Sequence, residues 1–317
     1  MKKVFVARKL LRSNEKRMSE IWDAKLNFED KVYSQRELIE LSKDCDGILC
    51  SMVDKFDAET INKLSDKVKI ISNIAVGFGN IDIKAAMNKN IIVTNTPDVL
   101  TDATAEIAIL ILLGAARRAT EGRKWVDKKN WTWSADFLMG KQLTDSRLGI
   151  LGMGRIGQAL AERAKSFGMK IHYHNRKKLP SNLEKGAIYH ESLKSLISVS
   201  DFFSINCPTT EETKKIINEE TLSYFLNGAV IINSARGDMI DDEAMINALK
   251  SGKVFALGLD VYNGEPDIHP QYLKLDNVFI LPHLGSATEK TRFAMADLAI
   301  SNIEEYFKTG KCKNTVN

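Results

Sequence analysis

A chain of 317 residues suits two domains of ordinary size, each able to bury its own core. Its 44% hydrophobic and 27% charged content is that of a soluble globular protein. With 45 basic against 41 acidic residues the net charge is only +4, too little to argue for a nucleic-acid partner.

In chain order, Val4–Ala7 reads as a first strand, too short before Arg8 and Lys9 to be the apolar segment of a signal peptide. Ser34-Gln35-Arg36-Glu37 is a capping box, with Leu38 and Leu41 behind it at helical spacing. Gly47–Cys50, Val68–Ile74 and Ile91–Thr94 are further apolar runs, with helical segments such as Ala58–Leu64 between them. That alternation predicts a small α/β unit with a parallel sheet. The loop Ala75-Val76-Gly77-Phe78-Gly79-Asn80 follows one of its strands. Two glycines there can expose backbone N–H groups to a carboxylate, or form a plain turn.

Asn95-Thr96-Pro97-Asp98 breaks the pattern, and Thr101 or Asp102 starts a long apolar helix where the chain crosses into a second domain. Its run Ile107–Ala116 is the longest apolar one and about half a membrane span, which excludes a membrane helix. Next comes an arm, Gly122–Gly140, holding Trp125, Trp131 and Trp133. Such a concentration of large aromatics predicts an interface, the other reading being an arm pinned to its own subunit. Cys45, Cys50, Cys207 and Cys312 form no C-x-x-C pair and have no histidine at ligand spacing, so no metal site is expected. Reduced thiols point to a cytoplasmic protein.

Arg147–Arg176 is the stretch around which the second domain is organised. Leu148–Leu151 reads as a strand and breaks into Gly152-Met153-Gly154-Arg155-Ile156-Gly157. A helix follows with Ile156, Leu160, Ala164 and Phe167 on one face, and Lys170–Tyr173 is a second strand. In that frame G-x-G-x-x-G signifies dinucleotide binding. Gly152 permits the turn, Gly154 lets backbone approach a pyrophosphate, and Gly157 lets the helix pack close. The second strand runs into His174-Asn175-Arg176-Lys177-Lys178, with no acid before Glu184. An acid there would repel a 2′-phosphate, whereas Asn175 does not and Arg176 can clamp one, so NADP is expected over NAD.

Phe202–Asn206, Ala229–Asn233, Ala256–Asp260 and Val278–Leu281 complete six expected strands. Thr288–Lys308 is an amphipathic helix with Phe293, Ala296, Ile300, Ile303 and Phe307 on one face, closed by Gly310. Ligands of open α/β sheets bind beyond the strand carboxyl ends. There the chain places Arg236, Asp260 with Glu265 close behind, and His283. An Arg to hold a carboxylate, a His to protonate a carbonyl and a Glu to keep that imidazole charged are the parts of a 2-keto acid reductase.

Those residues belong to larger motifs. The chain resembles the D-isomer-specific 2-hydroxyacid dehydrogenases over essentially its whole length: AVGFGNID (Ala75–Asp82), TPDVLTDATAE (Thr96–Glu106), the glycine motif, NSARG (Asn233–Gly237), GLDVYNGEP (Gly258–Pro266) and PHLGSAT (Pro282–Thr288). The resemblance assigns Arg236, Glu265 and His283 as the catalytic set. It implies Asp260 at the nicotinamide carboxamide, Thr104 near a phosphate, and the Val76 and Gly77 amides at the substrate carboxylate. The remaining cofactor contacts expected are Arg155, Ile156, Cys207, Pro208, Ala235 and Gly285. Two parallel-sheet Rossmann-like or flavodoxin-like domains are implied, a cofactor domain (100–287) inserted into a discontinuous substrate domain (1–99 and 288–317), in a homodimer built through the cofactor domain.

Within the family, HNRKK and the arm WTWSADFLMG look like the glyoxylate/hydroxypyruvate reductase branch, which tends to use NADPH and in which a Trp reaches the neighbour's active site. Trp133 is the matching residue. The competing expectations are an NAD-dependent phosphoglycerate or D-lactate type enzyme, a formate- or phosphite-oxidising relative, and a dinucleotide-sensing corepressor-like binding protein.

Overall fold

The computed structural model describes residues 1–317 and divides into two compact units, Met1–Leu100 with Ser286–Asn317, and Thr101–Gly285. In the first unit five strands, β1 (Lys3–Val6), β2 (Asp23–Lys25), β3 (Gly47–Ser51), β4 (Ile70–Ile74) and β5 (Ile92–Thr94), form a sheet in the order β2-β1-β3-β4-β5. Every ladder in it is parallel. Parallel strands are covered on both faces, so they read as continuous apolar runs and not as alternation. β4 is buried from end to end. Each buried Ile or Val in such a strand contributes about 1.5–3 kcal/mol.

The C-terminal helix Glu289–Thr309 belongs to this first unit, and Ser72 of β4 donates its hydroxyl to the Ala299 carbonyl at 3.0 Å. Ser34 and Glu37 form the expected capping box of the helix Gln35–Ser42. The helix Glu289–Thr309 ends at Gly310, whose φ of 73° is left-handed.

In the second unit seven strands lie in the order β12-β11-β10-β9-β6-β7-β8. They are β6 (Arg147–Leu151), β7 (Lys170–His174), β8 (Ile188–Tyr189), β9 (Phe202–Ile205), β10 (Ala229–Asn233), β11 (Val254–Leu259) and β12 (Val278–Ile280). All ladders are parallel again. Strand order reverses between β6 and β9, the switch point at which such sheets hold ligands. Arg147 at the start of β6 grips Asp201 before β9 with a fork, both bonds 2.9 Å long.

The structure adds elements that the sequence did not announce and corrects two expectations. β2 and β8 are strands that the sequence did not announce. They are three and two residues long, lie at sheet edges and carry no apolar run. The arm from Gly122 opens as helix, since Ala119–Lys128 is helical and only the rest is irregular. Phe167 is 40% exposed because the helix Arg155–Ser166 has ended before it; Gly157 and Ala161 take its expected place beside Leu160 and Ala164. Phe293 is 41% exposed: the buried stripe is turned toward Met295, Ala299 and Asn302.

Candidate active site

β6 delivers the chain into the glycine turn. Gly152 has φ 95°, and a Cβ there would stand 2.5 Å from the Cys207 amide nitrogen after β9. A Cβ on Gly157 would stand 2.4 Å from the Gly152 carbonyl oxygen, whereas one on Gly154 would meet nothing within 4 Å. Thus the turn is closed against its own fold and open at Gly154. No side-chain hydrogen bond caps the helix Arg155–Ser166, whose positive dipole end, with exposed Arg155 and half-buried Ile156, faces the turn and favours an anion there. This cradle fits a dinucleotide pyrophosphate. Cys207 and Pro208 flank it, and burial pushes the Cys207 thiol up to about 11, so it is no thiolate at neutral pH.

Asn175 proves to brace the turn, because its Oδ1 accepts the Met153 N–H at 2.6 Å. Arg176 is exposed, near enough for its charge to be felt at Cys207. Glu184, the first acid after β7, accepts the Tyr173 hydroxyl at 2.5 Å and lies 3.8 Å from Lys178. Its carboxylate is therefore already engaged.

On the other half of the sheet, adjacent strands β10, β11 and β12 end in the expected acid–base groups. His283 Nδ1 and Glu265 Oε2 are 2.7 Å apart. The second Glu265 oxygen accepts the Tyr262 N–H at 3.0 Å. With Nδ1 occupied, Nε2 is the nitrogen left for a substrate. Arg236 follows Ala235, whose N–H donates to Asn233 Oδ1 at 3.0 Å; Asn233 Nδ2 donates to the Arg236 carbonyl at 2.7 Å. Burial draws the Arg236 guanidinium below its ordinary range, against the pull of Glu265 and Asp238, yet it stays charged. A Cβ on Gly237 would lie 1.9 Å from the Tyr262 carbonyl carbon. The Arg236 turn is thereby packed directly on the segment leading to Glu265.

Burial pushes the Glu265 carboxyl up, but the His283 hydrogen bond and charge, the Tyr262 amide and Arg236 outweigh it and hold it below its ordinary 4.5. A depressed carboxylate stabilises the fold above its unfolded-state pKa, and that contribution disappears as pH falls through the folded value. Glu265→Gln is therefore expected to lower the urea midpoint near neutral pH, with the gap to the parent closing below about pH 4.5. A gap that widened in acid would reverse this sign.

His283 itself has φ 55°, a left-handed conformation that costs a non-glycine residue about 1–3 kcal/mol. Asp260 holds it there. The Asp260 carbonyl accepts the His283 N–H at 2.9 Å, and its two carboxylate oxygens accept the Leu284 and Gly285 amides at 2.7 and 2.8 Å. Thr104 adds a bond from its hydroxyl to the Gly285 carbonyl at 3.0 Å. Asp260 and Thr104, expected only at the cofactor, thus also shape the His283 turn. Motif reading did not reveal this, since the partners lie up to 181 residues apart.

Trp125 and Trp131 close around Phe137 within the arm, at centroid distances of 5.6 and 6.4 Å. Trp133 instead stands 81% exposed. In the first unit, Val76 and Gly77 follow Ala75 just past the β4 end, half-buried. No group of three His, Cys, Asp or Glu side chains is placed to hold a metal ion, and no helix is long and apolar enough to cross a membrane.

A family model for the NAD binding domain of D-isomer specific 2-hydroxyacid dehydrogenases matches residues 109–285. The glycerate dehydrogenase of Hyphomicrobium methylovorum is 40% identical over 309 residues, 96% of each chain. The glyoxylate reductase of Thermococcus litoralis is 39% identical over 320 residues, covering 99% of this chain and 96% of the other. Among solved structures, the NADPH-dependent glyoxylate/hydroxypyruvate reductase of Sinorhizobium meliloti, in complex with NADP and malonate, superposes with a TM-score of 0.88. It is 31% identical, with 99% of this chain and 96% of that one covered.

Proposed function

The chain belongs to the family of D-isomer specific 2-hydroxyacid dehydrogenases, and from that premise we propose that it reduces glyoxylate or hydroxypyruvate with NADPH. It is an oxidoreductase of this family that works with a nicotinamide dinucleotide on small keto or hydroxy acids. One observation carries the reductase reading: the 2.7 Å His283–Glu265 pair, beside half-buried Arg236, at the ends of neighbouring strands. When bound, the reduced nicotinamide supplies a hydride to the keto carbon. His283 Nε2 donates a proton to the carbonyl oxygen, and Glu265 on Nδ1 fixes the orientation of the ring. Arg236 forks onto the substrate carboxylate and keto oxygen. In the first unit, the Val76 and Gly77 amides would receive a substrate carboxylate.

The glycine turn and the Arg155–Ile156 amides would hold the pyrophosphate, with Thr104, Cys207, Pro208, Ala235, Asp260 and Gly285 toward the nicotinamide. Arg176 would hold a 2′-phosphate, which is why NADP is favoured. The working form in this reading is a cytoplasmic homodimer, with exposed Trp133 reaching the neighbouring subunit's site.

Arg176→Ala tests the cofactor part. Each charge-assisted bond to a phosphate is worth about 1.5–3 kcal/mol, so kcat/KM for NADPH should fall about 10–100-fold with glyoxylate as oxidant while NADH is little affected. Equal losses with both cofactors, or none with either, would remove Arg176 from the phosphate site.

A further inference from the structure

The Ala75–Asn80 loop contains an ordered set of amide donors, and three bonds to its carbonyl oxygens determine where they point. The C=O of one residue and the N–H of the next are antiparallel across a trans peptide, so anchoring one aims the other. The Ala75 carbonyl accepts the Thr96 amide at 2.9 Å, which aims the Val76 N–H. Asn95 Nδ2 donates to the Val76 carbonyl at 2.8 Å, which aims the Gly77 N–H. Asn73 Nδ2 donates to the Gly77 carbonyl at 3.0 Å, which aims the Phe78 N–H. None of these three aimed N–H groups donates a hydrogen bond within the protein.

The two asparagines are themselves held. Asn73 is fully buried; its Nδ2 also donates to Asn80 Oδ1 at 3.1 Å, and its Oδ1 receives the Cys50 thiol at 3.6 Å. Asn80 in turn donates to the Ser51 and Asp54 carbonyls at 3.0 and 2.9 Å. The Asn95 carbonyl accepts Asn302 Nδ2 from the C-terminal helix at 3.0 Å. That last bond fixes the Asn95 backbone, and the acceptor it faces at Val76 sets its side-chain NH₂ toward the loop, while the Asn73 amide is tethered at both its nitrogen and its oxygen.

We propose that Asn95 and Asn73 are positioning residues for the substrate carboxylate: by holding the Val76 and Gly77 carbonyls they preset the Gly77 and Phe78 amides, beside that of Val76, as an anion-binding nest. This rests on the reading that loop amides receive the carboxylate, and it extends the donor set to Phe78. Preset donors take a carboxylate without reorganising, so the benefit lies in affinity for the keto acid.

The test is steady-state kinetics of Asn95→Asp and Asn73→Ala with NADPH and glyoxylate, NADPH affinity by fluorescence, and Gly77→Pro as the control for the amide reading. Asn95→Asp keeps the shape of the side chain but presents an acceptor to the Val76 carbonyl. KM for glyoxylate should rise on the order of tenfold in each asparagine variant, with kcat changed less than about threefold and NADPH affinity unchanged. A purely structural role would lower the thermal midpoint and kcat without that split. If Gly77→Pro raises KM and the asparagine variants do not, the positioning role is overturned while the amide reading survives. If Gly77→Pro leaves KM unchanged, the amide reading falls and the positioning role with it. Should Asn73→Ala not fold, Asn95→Asp carries the test alone.

Discussion

Replacing His283 with alanine is expected to lower kcat for keto-acid reduction by about 10²–10⁴-fold, the contribution of a positioned general acid. The size follows from the arrangement. The imidazole is braced at Nδ1 by Glu265 at 2.7 Å, and its backbone is held at φ 55° by the bond to Asp260. A residue kept in a costly conformation by buried hydrogen bonds is placed for its side chain and not for packing. Cofactor affinity should change little, since the variant removes a group aimed at the substrate. His283→Ala with near-parental kcat would remove His283 from the proton transfer.

Arg236→Ala is expected to lower kcat/KM for the keto acid by on the order of 10²–10³-fold, as when a donor to a developing oxyanion is lost. Arg236→Lys should recover little of it. A lysine ammonium lacks the planar fork that holds a carboxylate and its neighbouring keto oxygen together. Burial of this guanidinium beside Glu265 makes the replacement harder still, because a lysine there would be the more readily neutralised of the two cations. An unchanged KM and kcat in Arg236→Ala would exclude it from the site.

Legibility in the sequence varied with the kind of interaction. The glycine turn could be read because its glycines answer local demands: Gly152 and Gly157 have no room for a Cβ, and Gly154 leaves the turn open. Arg236, Glu265 and His283 stood out because apolar strands end visibly, and a parallel sheet gathers such ends on one edge. Their pairing was expected from the chemistry and not from spacing. Glu265 and His283 meet because β11 and β12 are neighbours, which spacing does not reveal. The two short edge strands left no trace because two or three residues without an apolar run carry no period. Asn73 and Asn95 were missed for a similar reason: an amide that anchors a carbonyl leaves no pattern in the chain. Return of the C-terminal helix to the first unit was likewise implied only by family resemblance, for its contact between Ser72 and Ala299 spans 227 residues.

The most direct measurement is loss of nicotinamide absorbance with purified protein, run in parallel with NADPH and NADH against glyoxylate, hydroxypyruvate and pyruvate. Fastest oxidation of NADPH with glyoxylate or hydroxypyruvate is the predicted result. Preference for NADH would contradict the role given to Arg176, and pyruvate as the fastest substrate would contradict the substrate assignment. No oxidation of either cofactor would contradict the enzyme itself.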